Sequence, residues 1–142
     1  MMAKHVLLPV DPDEKPSWEK ALPEAVSQAR QRQATLHVMT VVPTFGSSIV
    51  ANYFPKDFEG KALEEARQTL QTLISDKVPA DLPHQLIVAH GRIHQEICRV
   101  ATEIKADLIV MASHKPAWSD SFLAPNAAQV LHHTPVSVMV IR

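Results

Sequence analysis

At 142 residues the chain is about one domain long, and roughly two-thirds of its unfolded surface can be buried in a core of that size. An apolar share of 46% and a charged share of 20% are those of a globular protein, and no stretch reaches the roughly 20 apolar residues that span a bilayer. Fourteen Lys and Arg against fifteen Asp and Glu leave a net charge of -1, which excludes a summed positive field for nucleic acid or an anionic membrane.

The residues Met1 to His5 pass straight into a strand pattern, with no basic-then-apolar leader. The single cysteine, Cys98, excludes an intrachain disulfide, and together these features point to a reducing, cytoplasmic location. A first strand is expected over His5 to Val10. A helix follows in which Trp18, Leu22, Ala25, Val26 and Ala29 share one face. Pro23 falls inside that pattern, where a missing N–H predicts a bend costing roughly 3 kcal/mol in an ideal helix interior. The second strand spans Thr35 to Val42.

The connection from Pro43 to Lys61, punctuated by Pro43, Gly46, Pro55 and Gly60, is longer than an ordinary loop and reads as a flap or a mobile segment. Leu63, Ala66, Leu70, Leu73 and Ile74 then mark a second helix, and Gln85 to Ala89 a third strand. Ile93, Ile97, Val100, Ala101 and Ile104 mark a third helix, in which Cys98 reads as a core residue. Asp107 to Ala112 is the fourth strand, about Asn126 to His132 a short fourth helix, and Val136 to Ile141 the last strand. All five strand runs lack polar alternation, the pattern of strands covered on both faces, so the sheet is expected to be parallel. Strand and helix alternate throughout without a repeat or linker. The expectation is one α/β domain over residues 1–142, doubly wound, with right-handed crossovers and helices on both faces.

In such a sheet a ligand crevice opens beyond the carboxyl ends of the central strands. Pro9, Val10 and Asp11, Val41 and Val42, and Ala112 to Lys115 are therefore expected around one opening. Asp11 is its carboxylate, able to accept hydrogen bonds from a ribose or help hold a metal ion. It is equally suited to ending the strand in an Asx turn, and the two roles are compatible. His114 and Lys115 follow the fourth strand where a phosphate would lie, Lys as a point charge and His as a ring donor, although Lys115 before Pro116 also suits a solvated loop.

With these residues in place the whole chain resembles the universal stress protein family. The matching stretches are Val6 to Asp11, Leu36 to Val42, His90 to His94, Ala106 to His114 and Ala127 to Arg142. The resemblance implies a five-stranded parallel sheet of adenine nucleotide alpha hydrolase-like, flavodoxin-like layering. It also implies a stress-response role and, as is usual in the family, a homodimer with the last strand, Val136 to Ile141, near the contact.

Some members of that family bind ATP. In those, the loop after strand four carries Gly, two residues, Gly, nine residues, then Gly followed by Ser or Thr, and these small residues let backbone N–H groups approach the phosphates. Here Ala112 and Lys115 stand at the first two glycine positions. Strict spacing puts Pro125 and Asn126 at the third glycine and the hydroxyl residue, whereas a loop one residue shorter puts Ala124 and Pro125 there. Pro125 has no N–H to offer.

The stretch Ser113, His114, Lys115, Pro116 with Asn126, Ala127, Ala128 is similar to a branch reading Ser-His-Arg-Pro and later Gly-Ser-Asn-Ala-Ala, which includes nucleotide binders. Adenine and ribose contacts implied by the resemblance, at Pro9, Val10, Asp11 and Val41, are retained, and the phosphate contacts are weakened. The ligand expected is ATP or another adenine nucleotide, ADP or AMP, with Mg²⁺ only where phosphates are held. The alternative is a dimeric interaction module that needs no nucleotide.

Enzyme templates fit poorly. The chain has no Gly-x-Ser-x-Gly elbow and no Walker loop, and Ser113 beside His114 is a sequence neighbourhood rather than a catalytic geometry. No enzymatic role is expected, a slow ATPase being the remaining alternative. Eight histidines are present, but none forms a closed set with zinc-ligand spacing, and they read as surface or capping residues.

Overall fold

The computed structural model describes residues 4–43, 58–113 and 124–142. Their order is β1 (Lys4–Pro9), a single 3-10 turn (Lys15–Ser17), α1 (Ala21–Arg32), β2 (Ala34–Pro43), α2 (Phe58–Lys77), β3 (His84–Gly91), α3 (Ile93–Glu103), β4 (Leu108–Ala112), α4 (Ala124–His133) and β5 (Ser137–Ile141). All strand pairs are parallel and the sheet order is β3-β2-β1-β4-β5. The expected five-stranded, doubly wound α/β architecture is what the chain forms.

The order of strands decides where the helices go. Crossovers between parallel strands are right-handed, so the steps outward from β1 to β2 to β3 put α1 and α2 on one face. The return from β3 to β4 and the step to β5 put α3 and α4 on the other, and these two helices pack on each other. The strands at the centre are covered twice. Val6, Leu7 and Leu8 in β1, and Ile109, Val110 and Met111 in β4, are consecutive residues with no exposed surface. Each such side chain contributes about 1.5–3 kcal/mol by leaving water.

Several expectations need correction. The edge strands are not fully covered: β5 is half-buried along its length, and β3 has only Ala89 buried. Apolar content alone does not separate a central strand from an edge strand, because both need β-forming side chains and only sheet order decides how many neighbours cover them.

Pro23 does not bend a helix. The chain from Lys15 to Ser17 forms the short 3-10 turn, α1 begins at Ala21, and Pro23 is its third residue. The first four N–H groups of a helix have no partner within it, so a proline there removes no bond. Pro125 is likewise the second residue of α4, which starts before Asn126.

The long connection ends earlier than expected, since Phe58 to Lys61 already belong to α2; the rest of the expected flap, residues 44–57, lies outside the described residues. Cys98 is half-buried, packed against the core rather than inside it.

Two local features aim the strands. Gln33 adopts the left-handed conformation, φ 54°, and its N–H closes α1 on the carbonyls of Ala29 and Arg30, so that β2 starts immediately afterwards. Gly91, φ 147°, ends β3, and a Cβ there would lie 3.0 Å from the side chain of Glu96. Only glycine turns the strand into α3 at that point without displacing Glu96.

Candidate functional site

At the carboxyl edge of the sheet β1 ends with Pro9 opposite Met39, and β2 runs on beside β3 to Pro43. The Val10 N–H donates to the Met39 carbonyl at 2.8 Å, carrying the pairing one residue past the strand. The chain then turns sharply. The Asp11 N–H donates to Ser17 Oγ at 2.9 Å, and that hydroxyl donates back to the Asp11 carbonyl at 2.8 Å, with Ser17 buried. Glu14 N–H also donates to the Asp11 carbonyl, at 2.9 Å, and Trp18 Nε1 donates to the Pro12 carbonyl at 3.2 Å. The 3-10 turn is therefore a brace that fixes where the Asp11 backbone stands.

The Asp11 side chain accepts from the Asp13 N–H through Oδ1 at 3.1 Å, an Asx turn. The same residue lines a cleft of about 250 Å³ together with Pro12, Asp13, Thr40, Val41, Val42, Pro43, Ala66 and Thr69. The turn read from the sequence is formed, and the same residue borders a cleft. Partial burial raises the Asp11 carboxyl above its usual range, and the neighbouring charges of Asp13 and Glu14 push the same way against the Asp13 hydrogen bond. A half-buried carboxylate beside two acidic neighbours favours a hydrogen-bond donor or a positive group opposite it.

Of the residues expected around the crevice, Asp11 and Val41 line the cleft together. Pro9 and Val10, expected beside them, are buried and do not line the cleft. Ala112 is buried at the end of β4, and Ser113 N–H donates to the Ile141 carbonyl at 2.8 Å, extending the β4–β5 pairing. Asn126 is half-buried in α4, of which Ala124 and Pro125 form the first two positions. His114, Lys115 and Pro116 lie outside the described residues.

Sequence reasoning missed the far wall of the cleft, Ala66 and Thr69 of α2. Ala66 had been read only as a packing residue. Thr69 stands three residues on, on the same helical face, and a polar residue at that spacing beside an apolar stripe was the signal available. Its hydroxyl donates to the Glu65 carbonyl at 2.9 Å, so an oxygen lone pair is what it presents to a ligand.

The sheet order, the braced Asp11 turn and the cleft above β1 and β2 define an α/β domain of the universal stress protein type. The model of the universal stress protein family matches residues 2–142, and the chain belongs to that family. Among curated relatives, Universal stress protein G of Shigella flexneri is 31% identical over 144 residues, covering 99% of this chain and 100% of that protein.

Solved structures agree in fold. The hypothetical protein MJ0577, studied for structure-based assignment of its biochemical function, superposes with a TM-score of 0.78 at 21% identity, covering 99% of this chain and 96% of that one. A universal stress protein in complex with cAMP superposes at 0.60 with 19% identity, covering 100% and 98%. Among the described residues no helix is long and apolar enough to cross a membrane.

Proposed function

We propose that this universal stress protein binds an adenine nucleotide in the cleft at the ends of β1 and β2, with the adenosine held more firmly than the phosphates. The observation that carries this reading is the cleft itself, about 250 Å³ in volume, in which Asp11 and Val41 meet. Asp11 accepts from the ribose hydroxyls, and the adenine lies along the wall that Val41 and Val42 form beside it. A nucleotide complex of a structural neighbour, with cAMP, supports an adenine ligand carrying a single phosphate.

The phosphate side rests on the stretch from Ala112 to Pro116 and on Ala124, Pro125 and Asn126, which contain no glycine. A chain with side chains at every position of that stretch gives phosphates fewer close backbone donors. ATP, ADP and AMP are therefore bound with similar affinity, and Mg²⁺ adds little. The reading is one of binding rather than catalysis.

Isothermal calorimetry with ATP, ADP and AMP tests it. Comparable heats for the three are expected, with affinity about ten- to hundredfold lower in Asp11→Ala, the worth of a hydrogen bond to a charged group. No heat from any of the three overturns the reading and favours a nucleotide-independent interaction module, for which the missing glycines already speak. A homodimer through β5 belongs to the same proposal. Val138 to Ile141 lie half-exposed on the last strand, and Leu131 of α4 is exposed. A two-fold copy covers such an edge. Light scattering that shows a monomer at working concentration removes this part.

A further inference from the structure

The cleft beside Asp11 is walled on one side by the turn after β1 and the end of β2, and on the other by Ala66 and Thr69 of α2. Its volume, about 250 Å³, lies just under the roughly 300–1,000 Å³ of pockets that take drug-sized ligands, which suits a base with its ribose. Ala66 and Thr69 stand three residues apart on one helix face. Ala66 is small enough to leave room beside it, and half-buried Thr69 is the residue by which α2 brings a hydroxyl to the cleft.

Where that hydroxyl sends its hydrogen decides what it can recognise. Thr69 Oγ1 donates to the Glu65 carbonyl at 2.9 Å, one helical turn back, so its single hydrogen is engaged inside the helix. Lone pairs are what it offers a ligand. The carboxylates of Asp11 and Asp13, which border the same cleft, are acceptors as well. Thr40 also borders it but is buried within β2. A cleft lined in this way asks its ligand for hydrogens. Purines differ in that respect at position 6, where adenine carries an amine, a donor, and guanine or hypoxanthine a carbonyl, an acceptor. A carbonyl set against Thr69 meets an oxygen with no hydrogen to give unless the hydroxyl abandons Glu65.

We propose, resting on the nucleotide reading above, that Thr69 is a specificity-determining residue: it accepts from the exocyclic amine of a 6-aminopurine and discriminates against a 6-oxopurine. Asp11 and Val41 hold the ribose and one side of the base, and Thr69 reads the base from the opposite wall. Two acceptors forced together with no hydrogen between them are what lets a site reject a near-isosteric ligand. Thr69 is half-buried rather than sealed, so water relieves part of that clash. The discrimination expected is about tenfold, well short of the roughly 10⁴ of a closed site.

Calorimetric titration of the purified protein with AMP and with inosine monophosphate, its 6-oxo counterpart, tests the assignment. The wild-type protein is expected to bind AMP about tenfold more tightly. Thr69→Val, which keeps the shape and removes the oxygen, is expected to bring the two affinities within about threefold by weakening AMP. Thr72→Val is the matched control, because the Thr72 hydroxyl donates to the Gln68 carbonyl at 3.0 Å in the same manner but does not line the cleft. There the preference stays. Matched circular dichroism confirms that both variants fold. Equal affinities in the wild type, a preference that survives Thr69→Val, or one that is lost in Thr72→Val overturns the role of Thr69 and leaves the nucleotide reading standing. No binding of either nucleotide overturns both.

Discussion

The two ends of the sheet use polar residues in opposite ways. At the carboxyl end Asp11 faces an open cleft, with Oδ1 engaged by the Asp13 N–H and a carboxyl raised by burial. At the amino end the polar groups close on one another. His5 Nδ1 and His37 Nε2 share a hydrogen bond of 2.9 Å, Asp107 Oδ2 accepts from the His5 N–H at 2.8 Å, and the Asp107 N–H donates to the His5 carbonyl at 2.8 Å. His37 is buried between β1 and β3. The amino end pairs these polar groups with one another while His37 Nδ1 stays buried without a hydrogen-bond partner, whereas the carboxyl end turns a half-buried carboxylate toward an open cleft.

Several experiments break or sharpen that contrast. The largest effect belongs to the shared middle of the sheet: Leu7→Ala, which removes a fully buried side chain between the two ends, is expected to cost about 2–5 kcal/mol in a denaturant titration. It measures the support both ends depend on. Next in size is Asp11→Ala, expected to lower nucleotide affinity about ten- to hundredfold with stability nearly unchanged. The reverse outcome, lost stability with retained affinity, would make Asp11 a turn residue and the two ends alike.

The amino end is expected to respond to acid. Burial first, and then the proximity of His5, push the His37 imidazole below its usual range, against a contribution from Gln85. Between the folded and unfolded pKa values the unfolded chain binds more protons, so stability is complete above the unfolded value near 6.5 and declines as pH falls through and below it. A doubly protonated pair would also set two donors against each other. Urea midpoints measured from pH 8 to pH 5 should fall, and His37→Gln should flatten that slope. A slope unchanged in the variant would detach the effect from this pair.

The smallest effect has the opposite sign. The Asp11 carboxyl is raised, so the folded state holds its proton more tightly than the unfolded chain; that stability is present below the unfolded value of 3.8 and is lost as pH rises through the folded value. At neutral pH the ionised carboxylate is a liability. Asp11→Asn keeps the turn acceptor and is expected to stabilise slightly, by under about 0.5 kcal/mol at pH 7, while weakening the nucleotide. Thermal melts at pH 7 check the direction.

Much of this was legible in the sequence because hydrophobic periodicity reports local structure. The runs from His5, Thr35, Gln85, Asp107 and Val136 each fall on a strand, within two residues at either end, and the apolar face from Ile93 to Ile104 became α3. Asp11 was legible because it follows a buried run directly. What failed needed information from elsewhere in the chain. Pro23 was misread because the helix starts at Ala21, after the 3-10 turn and Trp18, rather than before Trp18. The half-exposed state of β3 and β5 depends on sheet order, which no single strand encodes. The His5–His37 contact joins residues 32 apart and requires the β1–β2 register, and Thr69 enters the cleft only because α2 packs beside the end of β2.

The brace beneath Asp11 has a thermodynamic consequence for any ligand. Ser17 holds the backbone on both sides of the peptide, and the Asp13 N–H holds one carboxylate oxygen, so the rotamer is settled when the domain folds. Immobilising a free side chain at an interface costs about 0.5–1.5 kcal/mol. Here that ordering is complete in the folded domain, so in the nucleotide complex proposed above the second oxygen would meet a ribose without a further loss of freedom. The short turn would then raise affinity by stillness rather than by contact.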